Sequence, residues 1–251
     1  MDLKPHKSRS WQNAPARNQA DFDAQVIAIC TLYHQAQDLQ EQGIHLICVD
    51  EMTGIQAKER MHPTKLPKPG LIERVDNEYI RHGTKCLIGN FEVATGQVIA
   101  PTVGERRTEA DFVAHIQQTV ETDEAGGWIF IVDNLNTHQS ESLVRLIAQK
   151  CEIDNDLGKK GTSGILKSMA TRAAFLKDAT HRIRFVYTPV HTSWLNQIEL
   201  WFSILVRRLL KRASFSSKED LKARILDFID YFNQTMAKPF KWTYTGRPLK
   251  V

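Results

Sequence analysis

"IHLICVDE", residues 44–51, carries apolar side chains on both faces until it reaches Asp50. A strand with one wet face alternates apolar and polar residues, so a run that is apolar on both sides belongs in the middle of a covered sheet. "GWIFIVDN", residues 127–134, repeats the pattern and also ends in an aspartate, Asp133. Two central strands of this kind require helices on both faces of one sheet, and the flanking sequence supplies them.

Upstream, "DFDAQVIAICTLYHQAQDLQEQG" (21–43) has Val26, Ile29, Cys30 and Tyr33 at helical spacing and stops at Gly43, a C-terminal glycine. Downstream, "GIQAKER" (54–60) reads as a neighbouring strand, followed by the Pro/Lys-rich loop "MHPTKLPKPG". "KCLIGNFEVATGQVIA" (85–100) reads as a hairpin turning at Thr95-Gly96, which makes the region up to residue 100 an antiparallel meander. Helices then alternate with strands. Thr108 and Asp111 form a capping box for a helix with Phe112, Ile116 and Val120 on one face, and "LVRLIAQKC" (143–151) is another helix. "HRIRFVYTP" (181–189) is a short strand stopped by Pro189, and a last helix starts at Ser216 with Leu221, Ile225, Phe228, Ile229 and Phe232 as its stripe. The fold class is α/β: a mixed sheet, antiparallel meander first, flanked by helices.

This divides the chain into an N-terminal arm and linker helix (1–43), a mixed-sheet domain (44–235) and a basic C-terminal tail (236–251). Residues 152–180 read as an insertion of flexible loop plus a helix from Ile165 to Lys177. Its "GKKGTSG" is not a phosphate loop, because the Gly-x4-Gly-Lys-Ser/Thr spacing after a strand is absent.

Composition narrows the classes. Apolar content of 42% and charged content of 25% are ordinary globular values. No apolar run reaches 18 residues and the N-terminus lacks a signal-peptide centre, so a cytoplasmic protein without a membrane partner is expected. Cys30, Cys48, Cys86 and Cys151 stand singly, without zinc spacing, and read as reduced structural thiols. The net charge of +4 is unevenly spread: residues 200–251 hold eleven Lys/Arg against four Asp/Glu, a footprint compatible with a polyanion or with a solvated helix face.

The carboxylates carry the chemistry. Asp50 and Asp133, at the ends of central strands, lie at a sheet rim where open sheets bind ligands. Glu199 stands in the apolar helix "HTSWLNQIELWFSIL" (191–205), on a polar seam with Asn196, Ser203 and Arg207, while Trp194, Ile198, Trp201 and Leu205 pack. Pairing of Glu199 with Arg207 is the structural alternative. Three acids on two strands and a helix suit Mg²⁺, and two such ions can activate the attacking oxygen and stabilise the leaving oxygen of a phosphoryl displacement; Mn²⁺ would substitute. Glu51 should point away from Asp50 and is no ligand. Asn134, His138 and Asn196 are candidates for orienting the site, with capping and surface roles as alternatives. Arg81, His82, Arg207, Arg208, Lys211 and Arg212 are candidate DNA contacts, and Trp11, Trp128 and Trp242 are packing anchors.

"VDEMTGIQAKER", "YIRHGTKCLIGNFEVATGQV", "IVDNLNTHQS" and "YTPVHTSWLNQIELWFSIL", in that order, resemble the catalytic domain of bacterial insertion-sequence transposases related to the mariner elements, the family numbered six hundred and thirty. The resemblance implies an RNase H-like fold of the Asp-Asp-Glu (DDE) superfamily, with Asp50, Asp133 and Glu199 as its catalytic, metal-holding acids. It also implies metal-dependent cleavage at element ends and strand transfer to target DNA by a homodimer on DNA. Two departures stand out. The 65 residues between Asp133 and Glu199 exceed the usual spacing, a surplus the 152–180 insertion explains, and few residues precede the first strand where relatives carry helix-turn-helix units. A separately encoded helix-turn-helix polypeptide would supply these units. A catalytically silent DNA-binding remnant and a host RNase H-like nuclease are the competing readings.

Overall fold

The computed structural model describes residues 19–246; the expected arm up to residue 18, with Trp11, and residues 247–251 of the expected tail lie outside the described residues. Five strands form one sheet: β1 (Ile44–Arg60), β2 (Tyr79–Glu92), β3 (Thr102–Gly104), β4 (Gly127–Val132) and β5 (Ile183–Tyr187), in the order β3-β2-β1-β4-β5. β1, β2 and β3 pair antiparallel, whereas β1, β4 and β5 pair parallel. The mixed sheet expected from the sequence is therefore present, with β1 at its centre.

Side-chain alternation along β1 builds two cores. Leu46 and Cys48 face one side with α1 (Gln19–His34), α6 (Ile198–Leu205) and α7 (Lys218–Thr235). Ile47 and Val49 face the other with α3 (Glu109–Val120) and α4 (Glu141–Lys150). Helix α1 buries Val26, Ile29, Cys30 and Tyr33 and continues into the short α2 (Ala36–Glu41), so it is part of the core rather than a connector. The capping box of Thr108 and Asp111 starts α3 as its spacing predicts. Helix α7 starts one residue later than expected, on a Ser217 cap that accepts from the Asp220 N–H.

Four expectations need correction. "GIQAKER" is no separate strand: β1 runs through it, with register shifts between Met52 and Ile55 and between Gln56 and Lys58. Gly54 takes φ +66° inside the first of these, a bulge conformation that glycine adopts without Cβ strain. The third strand of the meander is Thr102–Gly104; after the turn at Thr95-Gly96 the chain makes only a single bridge, Phe91 to Val98, before reaching it.

The 152–180 segment does not loop out. It ends in α5 (Met169–Lys177), and Leu166 and Leu176 are fully buried in the second core. Finally, the helix around Glu199 is broken. A 3₁₀ turn (Ser193–Leu195) precedes Asn196 and Gln197, α6 begins at Ile198, and a π-helical turn (Val206–Leu210) follows. Trp194 is consequently 51% exposed instead of packed, touching the Tyr244 ring edge-on.

The C-terminal segment folds back over the first core, with Phe240 stacked on Phe91 at 4.7 Å and Trp242 edge-on to Tyr33 at 4.9 Å. Trp128 is fully buried, as an anchor should be, and all four cysteines are free thiols. Among the described residues no helix is long and apolar enough to cross a membrane.

Candidate active site

Parallel pairing of β1 with β4 matches Ile47 with Phe130 and Cys48 with Ile131. Continuing that register brings Asp50 level with Asp133 at the sheet's rim, where both line one cleft with Asn134, His191 and Asn196. Across β1, Asp50 pairs with Gly89 of β2. A Cβ at Gly89 would lie 3.2 Å from both Ile198 Cδ1 and Phe202 Cε1, so the bare glycine lets α6 settle close onto the sheet. That close approach carries Glu199, in the first turn of α6, into electrostatic range of Asp50.

Asn196 fixes the start of α6 more directly. Its side chain is buried, and its Nδ2 donates to the Val49 carbonyl at 2.8 Å, tying the segment before the helix to the strand that ends in Asp50. It thus aligns two acid-bearing elements, and the polar seam expected from helical spacing begins at Glu199.

The three acids differ in their company. Burial, reinforced by the charges of Asp133, Glu199 and Glu51 and opposed by the Glu51 N–H, pushes the Asp50 carboxyl up to about 7. Burial likewise raises Glu199, whose carboxylate has no hydrogen bond or ion pair among the described residues; Arg207 does not pair with it. Asp133 is partly desolvated, yet the His138 imidazole and the Leu135 N–H hold its carboxyl below the usual range. Both contacts fall on Oδ1, at 2.8 Å from His138 Nδ1 and 2.9 Å from Leu135 N, and among the described residues none engages Oδ2.

These are conditions a hard cation would relieve. Among the described residues no cationic side chain pairs with Asp50 or Glu199, and Asp133, which lines the cleft, keeps one oxygen unengaged. The all-oxygen donor set fits a divalent ion of the Mg²⁺ type. Among the described residues no three His, Cys, Asp or Glu side chains already form a closed metal cage; the acids lie within electrostatic range of one another rather than in ligand contact.

Other expected residues are placed differently. Asn134 Nδ2 donates to the Thr188 carbonyl and joins the ends of β4 and β5. His138 is wholly buried between Asp133 and Glu51, not a surface histidine. His82 is engaged by Glu59 at 2.7 Å, and Arg81 by the Tyr79 hydroxyl and ring. Arg207 and Arg208 are exposed on the π-helical turn, and Arg212 is exposed just after it. Lys211 lines a groove with Lys58, Arg60 and Tyr79, two basic residues that no sequence pattern singled out. His191 was also missed. It lines the acidic cleft at φ +63°, and a non-glycine residue held in that region is a conformational outlier of the kind found at functional sites.

The mixed five-stranded sheet, with two acids at the rim of its parallel half, has an RNase H-like arrangement. Residues 45–222 match the family described as DDE superfamily endonuclease, and the chain belongs to that family. None of the curated proteins matches the sequence. Among solved structures, the fold is similar to that of the Mos1 mariner paired end complex with Mn, at 13% identity and a TM-score of 0.52, covering 94% of this chain and 62% of that one. It is also similar to the Mos1 transposase paired-end complex with left transposon end, at 13% identity and a TM-score of 0.50, covering 94% and 61% respectively. The chain thus spans about three fifths of the length of these relatives, and at such identity the likeness is one of fold.

Proposed function

We propose that this chain is the catalytic domain of a transposase of the mariner-related insertion-sequence group, the family numbered six hundred and thirty, and that Asp50, Asp133 and Glu199 hold its divalent ions, Mg²⁺ or Mn²⁺. The observation that carries the reading is the meeting of three carboxylates from β1, β4 and α6, two without a cationic partner, inside a segment that matches an endonuclease family. Mn appears in the name of one related structure and a transposon end in the other, which supports the same cofactor and substrate class here.

In this reading the chain's own residues do three things. Asp50 and Glu199 supply carboxylate oxygens from opposite elements, and Asp133 supplies Oδ2 while its Oδ1 is tied down. Asn196 and Gly89 keep α6 at the distance that lets Glu199 join the strand-end acids. The bound ions supply Lewis-acid activation of a hydroxyl and stabilisation of the leaving phosphate-ester oxygen. Lys58, Lys211, Arg207, Arg208 and Arg212 lie on exposed or groove-lining positions and supply the positive surface that a DNA backbone needs. A homodimer on DNA completes the proposed assembly.

The test is a denaturing-gel assay on labelled DNA carrying the element's own ends, run with Mg²⁺ and with Mn²⁺, with and without an upstream helix-turn-helix polypeptide. Metal-dependent nicking at the ends that Asp133→Asn abolishes is the expected result. Nicking unchanged in Asp133→Asn would overturn the reading, and so would cleavage confined to RNA·DNA hybrids.

A further inference from the structure

Alternation along β1 sends Glu51 to the face opposite Asp50, where it could have been an ordinary surface residue. Instead its side chain is only 2% exposed, and its Oε1 accepts from His138 Nε2 at 3.2 Å. The same imidazole, itself wholly buried, reaches Asp133 Oδ1 through Nδ1 at 2.8 Å. A three-membered chain therefore runs from the α3/α4 face of the sheet around the end of β4 to the cleft: Glu51, His138, Asp133.

The chain is held from several sides. The His138 ring lies against Phe112, with centroids 4.1 Å apart. Tyr187 of β5 donates its hydroxyl proton to the His138 carbonyl at 2.8 Å, and Arg172 of α5 donates to the neighbouring Gln139 carbonyl at 2.7 Å. The 152–180 segment, which the sequence presents as an insertion of flexible loop plus a helix, thereby supports the turn that carries His138.

Stability alone does not account for Glu51. Its Oε2 is buried with no hydrogen-bond partner among the described residues, so the fold leaves half of this carboxylate's hydrogen-bonding capacity unused. What the carboxylate does provide is direction: it engages the imidazole, and the imidazole holds one oxygen of Asp133, a residue that lines the cleft, while among the described residues nothing engages the other. Hydrogen-bonded outer partners of this kind orient metal ligands, and their loss commonly lowers metal affinity 10- to 100-fold.

We propose that Glu51 is a positioning residue of the metal site, acting through His138 as a buried brace that sets the orientation of the Asp133 carboxylate. This inference rests on the metal-site reading above, and the experiment separates the two.

Mn²⁺ binding to the metal-free, full-length protein would be measured by the loss of the free-ion electron paramagnetic resonance signal, with thermal unfolding recorded on the same samples. The variants are Glu51→Gln, Glu51→Met and Asp133→Asn, with Val120→Ala as a control that weakens the second core at the end of α3 far from Phe112 and the brace. The expected result is that both Glu51 variants bind Mn²⁺ at least 10-fold more weakly, while Val120→Ala unfolds earlier than wild type and keeps wild-type affinity. Wild-type affinity in the Glu51 variants alongside loss in Asp133→Asn would overturn the brace and leave the metal site standing. An equal loss of affinity in Val120→Ala would also overturn it, by showing that destabilisation alone weakens binding. Wild-type binding in Asp133→Asn would overturn the metal-site reading itself.

Discussion

At pH 8 the Asp50 carboxylate is ionised, largely out of water, and surrounded by Asp133, Glu199 and Glu51, and among the described residues only the Glu51 N–H donates to it. Its carboxyl lies at about 7 in the folded chain against 3.8 for an unperturbed aspartate. The folded state therefore binds this proton more tightly than the unfolded state, so Asp50 favours folding at low pH and that contribution is lost as pH rises from about 4 through about 7. Asp50→Asn removes the charge and keeps an acceptor for the Glu51 N–H. The variant should gain stability over wild type by ~1.4 kcal/mol per pH unit across this window, then hold a constant advantage of a few kcal/mol above it. Denaturant midpoints of the metal-free proteins from pH 4.5 to 8.5 check this; a pH-independent difference would contradict it. That Asp50 and Asp133 sit at the rim of one sheet was legible, because an apolar run ending in an acid needs no partner to be noticed. The bond between Glu51 and His138 was not, since it joins residues 87 apart through a turn whose path only the folded sheet defines.

Among the elements, the strands and helices whose patterning is local were readable. The capping box at Thr108 and the buried stripe of α7 are examples. Reading failed where a long-range contact overrides periodicity. Spacing alone makes residues 193–205 one helix, but the Asn196 side chain reaches the Val49 carbonyl and the backbone breaks there, leaving Trp194 in solvent. The bulge at Gly54 looked like the end of one strand and the start of another. Gly89 left no sequence signal either, although α6 depends on its missing side chain. Gly89→Ala requires Ile198 and Phe202 to give by a few tenths of an ångström, whereas the branched side chain of Gly89→Val has no room. Overpacking of this kind costs about 1–3 kcal/mol and should lift α6, and Glu199 with it, away from Asp50. Gly89→Val is expected to stay folded while losing metal-dependent nicking, with Gly89→Ala intermediate. Wild-type nicking by a folded Gly89→Val protein would show that α6 placement does not govern the site.

Over the whole molecule, one central strand links everything described here. β1 carries Asp50 toward α6 and Glu51 toward α3 and α4, pairs with β4 to align Asp133, and runs on past the Gly54 bulge to place Lys58 and Arg60 beside Lys211. The mixed-sheet class was readable because two doubly apolar runs admit few other architectures. The basic groove was not, because it joins β1 and β2 to the π-helical turn across about 150 residues of sequence. The central claim is that three carboxylates from three elements hold divalent ions together. Its most direct test is crystallography on protein soaked in Mn²⁺, locating the ion from its anomalous scattering. The account predicts Mn²⁺ at the cleft with carboxylate oxygens of Asp50, Asp133 and Glu199 at about 2 Å, and loss of that density in Asp133→Asn. Mn²⁺ bound elsewhere, or at the cleft without Glu199, would contradict it.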